Sequence, residues 1–372
     1  MKDVLGQSRA IDILQAALRH DRLHHAYIFH GPAGVGKFTT AMAFAQVLLC
    51  HDRRTDAAGD VVACGQCPSC KLLTESPKPA GNDDDAPPAA AHPDLHVIAK
   101  ELARYSQDKN IRDRKLTTIP FDVLRDTLVQ RVYHTTQLRH GKVFIVDEAE
   151  LITPQGQNIL LKALEEPPSQ TYLILVTGNE DRLLATIRSR CQRVAFAPLP
   201  DRAVGNWIAS RGHLAAGQGQ WLVSYAQGSL GRALLAIEYG LSEWAGALLP
   251  GIDDAVRGQP PSDLGKQIAE RINGFATAWV EAHANASKEA ANRQGAALMW
   301  SLIAQHARQR INEIAAQTGT LTPGEIEERM EPWLGVIAAL QKAEAELWAN
   351  LNMGLTCDHL VAMMAGEACS LS

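Results

Sequence analysis

A glycine-rich stretch, GPAGVGKFTT at residues 31–40, carries the residue types of a phosphate-binding loop. In the pattern G-x-x-x-x-G-K-[S/T], the glycines let backbone N–H groups curl around phosphate oxygens at a helix N-terminus, and the lysine reaches the terminal phosphates. These groups are supplied here by Gly31, Gly34, Gly36 and Lys37. The next residue should offer a hydroxyl to Mg²⁺, but it is Phe38. The loop therefore predicts phosphate binding with an impaired metal site.

Two threonines follow Phe38, and Thr39 is the nearest replacement for the missing hydroxyl. A helix turns about 100° per residue, so a hydroxyl shifted by one position points away from the metal unless the loop is distorted. The flanking pattern supports a nucleotide-binding loop, because residues 25–29 predict a strand and residues 39–49 predict a helix. The alternative is an ordinary glycine-rich turn between a strand and a helix.

An acidic pair follows a second predicted strand, in the run KVFIVDEAE. Residues 143–146 are β-branched and aromatic, as expected for a parallel strand buried on both faces. The strand ends in Asp147 and Glu148, where a P-loop protein places its Mg²⁺ ion and attacking water. We predict that Asp147 holds the metal and Glu148 polarises the water. The alternative is an acid pair that only stabilises a helix N-terminus.

Four of the seven cysteines are close in sequence: Cys50, Cys64, Cys67 and Cys70. The stretch CGQCPSC contains two overlapping C-x-x-C pairs, each able to place two thiolates on one tetrahedral zinc ion. Four thiolates leave no position open for water, so the pattern predicts a structural zinc site. Reduced cysteines in a polar loop and a redox role are the alternatives. His51 is a spare candidate ligand.

The length of 372 residues allows two or three domains with their own cores. The sequence has no apolar run near 18 residues and no N-terminal pattern of a secretion signal, so we expect a cytoplasmic protein without membrane contact. The formal net charge of −5 argues against a chain that grips nucleic acid over its whole surface. Any DNA role is expected to be shared with partners.

The remaining pattern outlines the domain organisation. Residues 76–91 are rich in Pro, Ala and Asp and predict a flexible insertion, in which Asp83 to Asp85 are solvated charge; residues 100–120 are ambiguous and predict a loop. Residues 95–98 and 172–176 predict strands, and residues 121–138 predict a helix. Pro198 and Pro200 mark a boundary, and Pro250-Gly251 predicts a break between helical regions.

The ordered combination of GVGK, four cysteines behind its helix, VDEAE, LLKALEEPP and SRC resembles the bacterial DNA polymerase III clamp-loader subunits, members of the AAA+ family. The matching motifs span residues 6–232. The resemblance implies an α/β fold: an AAA+ P-loop parallel-sheet core over residues 1–198, with an inserted zinc module at about residues 50–70. It also implies a small helical lid over residues 199–247 and an all-α C-terminal collar domain over residues 250–372.

Within this family, the gamma/tau subunits hydrolyse ATP, whereas the delta-prime type has a degraded ATP site, and this chain looks like the latter. The position of a polar residue that contacts the γ-phosphate aligns on Gly178, between Thr177 and Asn179. The lid arginine expected in G-S-x-R falls one residue late, at Arg232. With Phe38, these departures imply that ATP and Mg²⁺ bind weakly or not at all.

The resemblance implies that Arg190, in the SRC motif, reaches into the ATP site of a neighbouring subunit. There a guanidinium stabilises the charge on the transferring phosphate. A surface ion pair is the alternative role for Arg190, and Arg188 is the less favoured candidate for the finger.

The resemblance thus implies a component of the DNA polymerase holoenzyme that hydrolyses little or no ATP. Its expected partners are gamma/tau and delta subunits in a hetero-oligomer of five, and through them the sliding clamp and primer-template DNA. An ATP-hydrolysing gamma/tau-like motor is one alternative, favoured by the intact Lys37 and the acidic pair. A zinc-dependent nucleic-acid-binding module is another.

Overall fold

The structure is a computed structural model of the 372-residue chain. It describes residues 1, 4–74, 92–100, 102, 118–138, 140–211, 218–282, 287–317, 321–348 and 352–366. The predicted insertion at residues 76–91 and most of the predicted loop at 100–120 lie outside these residues. The described chain divides into two compact units, Met1–Asn206 with Gln227–Gly231, and Trp207–Ala226 with Arg232–Ser372.

A five-stranded parallel sheet forms the centre of the first unit. Its strands are β1 (Ala26–His30), β4 (Leu95–Ile98), β5 (Lys142–Val146), β6 (Thr171–Thr177) and β7 (Gln192–Ala195). Their spatial order is β4-β5-β6-β1-β7, and every neighbouring pair is parallel. Because β1 and β6 are central, the loops that follow them emerge side by side at the carboxyl edge. This edge is where open parallel sheets place their ligands.

Helices cover both faces of this sheet. They are α1 (Ser8–Arg19), α2 (Lys37–Leu49), α3 (Pro68–Thr74), α4 (Phe121–Leu124), α5 (Gln130–Val132), α6 (Pro154–Glu165) and α7 (Ala185–Arg188). A π-helical turn, Arg125–Val129, joins α4 to α5. On one face Ile28 and Phe144 pack with Leu124, Leu128 and Leu160. On the other face Tyr27 meets Phe44 of α2 edge to face, with ring centroids 5.3 Å apart. Successive side chains of β1 face these two layers in turn, which explains why residues 26–29 are apolar or aromatic, whereas His30 at the end of the strand is polar.

The helix predicted over residues 121–138 ends early, at Val132. The buried side chain of Lys142 explains this end, because its Nζ donates hydrogen bonds to the carbonyl oxygens of Arg131, Val132 and His134. A cation that satisfies the last carbonyls of a helix stabilises its C-terminus. The prediction was therefore wrong beyond residue 132, where helical spacing continued but the chain turned.

The second unit is helical in its described residues. Helices α8 (Asp201–Ser210) and α10 (Leu230–Glu238) run across the division between the units, and α9 (Gln218–Ala226) lies in the second. They are followed by α11 (Leu241–Val256), α12 (Leu264–Ala282), α13 (Lys288–Ala315), α14 (Pro323–Trp348) and α15 (Met353–Met364). Helices α12 and α14 each pack against α13 and α15. In the part of the chain that the structure describes, no helix combines the length and apolarity needed to cross a bilayer.

The break predicted at Pro250-Gly251 was wrong, because α11 continues through both residues. A proline inside a helix removes one hydrogen bond and usually bends or ends the helix. Here Leu248, Ile252 and Ala255 are buried on both sides of Pro250, so the packing of one apolar face keeps the helix continuous. The division into three domains remains a prediction.

Candidate nucleotide-binding loop and metal centre

The glycine-rich loop joins the end of β1 to the first residue of α2, Lys37, as the sequence predicted. Gly31 lies so close to the chain after β7 that an added Cβ would come within 2.2 Å of the Phe196 carbonyl oxygen. Gly36 has a φ of 99° and open space around its Cα, which suits a backbone that exposes N–H groups to a ligand. The loop thus has a shape compatible with a phosphate cradle.

The carbonyl oxygens of residues 31–36 all accept hydrogen bonds from this chain. Lys37 Nζ donates to the carbonyls of Gly31 and Pro32, both at 2.6 Å. The next four carbonyls, in order, accept from Ser229 Oγ, Gly231 N–H, Gln7 Nε2 and Thr40 N–H, at 3.0, 3.0, 3.1 and 2.9 Å. The segment Gln227–Gly231 therefore straps the loop from outside, and donors of this chain itself fix the path of the loop backbone.

Lys37 is buried among the loop carbonyls, and burial lowers its pKa. Glu150 and then Asp147 oppose this change through their negative charge. Asp147 follows β5, as predicted, and burial raises the pKa of its carboxyl group. The charges of Asp147 and Glu150 therefore both act on Lys37 at the carboxyl edge of the sheet.

Glu148, the predicted water-polarising residue, forms an ion pair inside this edge. Its Oε2 lies 2.7 Å from Lys100 Nζ, and its backbone adopts the left-handed region with a φ of 48°. The non-glycine left-handed backbone costs about 1 kcal/mol. A carboxylate oxygen that is held by an ammonium group is less available to orient a water molecule than a free one. Lys100 was missed by the sequence analysis, because it falls where the pattern gave no structure.

The last residue of β6 and the two residues after it make local interactions. Thr177 is buried and its Oγ1 accepts a hydrogen bond from the Asn179 N–H. The side chain of Asn179 accepts from the Asp181 N–H and caps a short turn. Gly178 donates its N–H to Glu150 Oε1 at 2.9 Å. Glu150, which the sequence analysis also missed, thus reaches the end of β6, where the resemblance implies a polar residue that contacts the γ-phosphate.

Phe38 stands at the sequence position where the loop pattern expects a magnesium-binding hydroxyl, and 37% of its surface is exposed. Thr39 is also exposed on α2, whereas Thr40 is buried and donates its hydroxyl to the Gly36 carbonyl at 2.8 Å. The role of Thr39 as a magnesium ligand remains a prediction. Arg232 lies in α10, in the second unit, where its charge acts on Tyr225.

Arg190 lies between α7 and β7, at the surface. Its guanidinium is 2.8 Å from Glu165 Oε1 and donates to the Thr186 carbonyl at 3.0 Å. The Arg190 side chain is 37% exposed and that of Glu165 is 51% exposed. Arg188 points to a different partner, Asp181. Arg190 and Arg188 therefore pair with different acidic residues, and the role of Arg190 as an arginine finger remains a prediction.

The four predicted cysteines form one cluster, in which the sulfur atoms all lie within 4.8 Å of one another. Cys50 ends α2, Cys64 and Cys67 lie in the loop before α3, and Cys70 lies in α3. Backbone N–H groups point at the sulfurs, as Cys64 N–H does at Cys50 Sγ (3.2 Å) and Cys67 N–H does at Cys64 Sγ (3.3 Å). Such donors stabilise thiolates, and four thiolates form the donor set of a closed zinc site.

The chain between Cys50 and Cys64 is a small hairpin of β2 (Arg54–Thr55) and β3 (Val61–Val62). Buried Gln15 of α1 fastens it, donating to the Val61 carbonyl at 3.0 Å and accepting from the Val61 N–H at 2.8 Å. Hydrogen bonds from the Gln66 and Cys67 N–H groups lower the pKa of Cys64 to about 6. Burial raises the pKa of Cys50 and Cys70.

His51 lies outside the cysteine cluster. Its ring stacks on His140, with centroids 3.9 Å apart. A more direct neighbour of the cluster is Ser69, whose hydroxyl donates to the Leu49 carbonyl and receives a hydrogen bond from His92 Nε2. The neutral His92 has this tautomer because its Nδ1 accepts from the Asp94 N–H at 3.1 Å. The sequence analysis missed both residues, because Ser69 fills an x position of the second C-x-x-C pair and no motif marks His92.

The loop, the acidic edge and the cysteine cluster define a protein with a P-loop α/β core and an inserted four-cysteine module that could hold a metal ion. The sequence profile of the family described as "DNA polymerase III, delta subunit" matches residues 6–200. This match covers more than half of the chain, and the chain belongs to this family. The resemblance inferred from the motifs is confirmed, as is the fold class.

Related sequences agree with this assignment. The chain is 40% identical over 186 residues to the DNA polymerase III subunit delta' of Pseudomonas aeruginosa, with 50% of this chain and 47% of the relative covered. It is 31% identical over 199 residues to the delta' subunit of Bacillus subtilis, with 53% and 50% covered. It is 34% identical over 207 residues to a gamma/tau subunit of Mycobacterium tuberculosis, with 56% and 30% covered. The alignments thus span about half the length of these delta' relatives.

Among solved structures, a DNA polymerase III gamma subunit-related protein from Thermotoga maritima is 18% identical to this chain. The comparison covers 95% of this chain and 99% of that one, with a TM-score of 0.45.

Proposed function

We propose that this chain acts as a delta-prime-type subunit of a DNA polymerase III clamp loader. In this role it hydrolyses little or no ATP itself and supplies Arg190 to the ATP site of a neighbouring gamma/tau subunit. Through a complex with gamma/tau and delta subunits it supports the loading of sliding clamps on primer-template DNA. The family assignment and the delta' relatives support this proposal.

The setting of Arg190 is the observation that carries the proposal. The guanidinium is at the surface, and an exposed ion pair of the Arg190–Glu165 kind contributes only about 0–1 kcal/mol. Release from Glu165 therefore costs little compared with the charge stabilisation that an arginine finger supplies to phosphoryl transfer, about 10³ to 10⁵ in rate. Glu165 keeps the side chain ordered until a phosphate competes for it.

The state of the chain's own site supports the second part of the proposal. Lys37 bonds to the loop carbonyls, Glu148 pairs with Lys100, and Phe38 brings no oxygen to a metal. Each of these arrangements opposes a step that hydrolysis requires: phosphate contact, water activation and metal placement. Asp147 and Glu148 act here as vestiges of a hydrolytic site.

We further propose that the four cysteines hold a structural zinc ion, because four thiolates around one centre suit Zn²⁺ and leave no open position for water. The zinc would tie the end of α2 to α3 and stabilise this module.

The test compares Arg190→Ala with Arg188→Ala in complexes reconstituted with gamma/tau and delta subunits. ATP turnover per complex and clamp loading on primed DNA are measured, together with the thermal melting of each isolated variant. Arg190→Ala should slow both activities strongly while leaving the melting temperature within a few degrees, because only an exposed ion pair is lost. Arg188→Ala should retain most activity. Near-normal turnover with Arg190→Ala, or motor-like ATP turnover by the isolated natural chain, would refute the proposal.

A further inference from the structure

Glu150 has an unusual setting at the carboxyl edge of the sheet. One oxygen, Oε1, accepts the Gly178 N–H, and the other, Oε2, is buried without a hydrogen-bond partner among the described residues. A buried carboxylate oxygen without a donor is destabilising unless a positive charge is near. The charge of Glu150 acts on Lys37 more strongly than that of Asp147 does. Glu150 is therefore an internal counter-charge for the lysine of the phosphate loop.

Gly178 is what makes room for this carboxylate. A Cβ added at Gly178 would lie 3.0 Å from Glu150 Oε1, closer than side-chain atoms normally come to a Cβ. A side chain at position 178 would therefore push the Glu150 carboxylate away by a few tenths of an ångström. The position of the Glu150 carboxylate therefore depends on the absence of a side chain at Gly178.

The same position has consequences for a bound nucleotide. In a P-loop the backbone holds the inner phosphates, and the lysine reaches the terminal ones. A carboxylate that shares the field of this lysine repels the terminal phosphates and weakens their attraction to the lysine. Glu148 lies on the same edge, but Lys100 already neutralises it.

We propose that Glu150 is the residue that excludes nucleoside triphosphates from this chain's own P-loop, by neutralising Lys37 and by repelling the terminal phosphates. This inference rests on the proposed function, in which the chain's own site is not used for hydrolysis. It assigns that loss to a specific residue beyond the missing hydroxyl at Phe38.

Fluorescent mant-ATP and mant-ADP are titrated into the full chain, with Mg²⁺ and separately with EDTA. The informative variant is Glu150→Gln, which keeps an acceptor for the Gly178 N–H and removes the charge. Glu150→Ala removes both, and guards against an effect of the amide alone. A matched control makes the same change of charge away from the loop residues: Glu166→Gln at the exposed end of α6. Thermal melting verifies that each variant is folded.

Glu150→Gln and Glu150→Ala should bind mant-ATP at least about tenfold more tightly than the natural chain, with a smaller gain for mant-ADP. The Glu166→Gln control should stay within about threefold of the natural chain. Unchanged affinity in folded Glu150 variants would overturn the inference, as would an equal gain in Glu166→Gln or tight binding of mant-ATP by the natural chain. The Arg190 measurements in the assembled complex test the proposed function separately from this inference.

Discussion

The Oγ of Ser69 and the Nε2 of His92 lie 2.8 Å apart, and both residues are buried beside the four-cysteine cluster. Ser69 sits between Cys67 and Cys70 in sequence, and its own proton goes to the carbonyl of Leu49, the residue before Cys50. One hydroxyl therefore links the two segments of chain that carry the cysteines. His92, which also accepts a hydrogen bond from the Asp94 N–H, connects these two segments to the residues that lead into β4.

Ser69→Ala is expected to weaken zinc binding by about tenfold to a hundredfold, because groups that orient metal ligands have effects of this size. Competition with a chromophoric chelator measures the affinity, and the spectrum of the cobalt-substituted protein reports the ligand set. That spectrum should keep its four-thiolate form, since no ligand is changed. Thr74→Ala is the matched control, because it removes an exposed hydroxyl from the same helix. Equal zinc affinities for Ser69→Ala and Thr74→Ala would contradict the linking role.

Removal of zinc is expected to destabilise the first unit. The cysteine cluster closes a loop around a small hairpin with few apolar residues, so the metal supplies stability that packing does not. Chelation, verified by metal analysis, should lower the melting temperature by several degrees, and added zinc should restore it. Unchanged melting after complete removal would argue against a structural metal.

Gly34→Ala should destabilise the fold more than Gly36→Ala. Both glycines have positive φ values, 71° and 99°, so both substitutions carry about 1–2 kcal/mol of backbone strain. At Gly34 the new Cβ would also meet Ser229 Oγ at 2.4 Å and the Gly231 Cα at 3.0 Å, whereas the space at Gly36 is open. The difference in unfolding free energy, measured with urea, should be about 1 kcal/mol or more. Equal losses would mean that Gln227–Gly231 does not strap the loop in solution.

Stability should fall as the pH is lowered from about 6.5 towards 4, partly through His96. Burial, and then the charges of Arg131 and Lys142, lower the pKa of His96 from 6.5 to about 4. Between these values the unfolded chain binds a proton that the folded chain does not, so protonation favours unfolding. His96 therefore contributes at most about 2 kcal/mol to the loss of stability between pH 7 and pH 5. His96→Gln should lose less stability over this interval in urea titrations, and a loss as large as that of the natural chain would refute the assignment.

The sequence predicted four of the five strands of the sheet, because their character is local. Residues 95–98 were predicted and observed as a strand with the same bounds, and the runs before Asp147 and after Tyr172 are continuous apolar stretches. The cysteine cluster was equally accessible, because its spacing alone suits one metal ion. These features depend on short-range pattern and on side-chain chemistry.

The errors and omissions have a common origin in contacts between distant parts of the chain. The helix after residue 132 was ended by Lys142, and the helix through Pro250 was kept by buried residues on both sides. Lys100 and Glu150 became visible only when the ends of β4, β5 and β6 met at one edge. No periodicity or spacing marks such residues, because their partners are set by the strand order.

Close packing gives Gly31 and Gly34 a reason to persist that is independent of any nucleotide. A side chain at Gly31 would collide with the Phe196 backbone, and one at Gly34 would collide with the strap that crosses the loop. Natural selection for a folded protein would therefore preserve much of the glycine signature after its ligand had been abandoned. In such a lineage an intact-looking motif reflects ancestry and packing, and it does not show that the protein hydrolyses ATP.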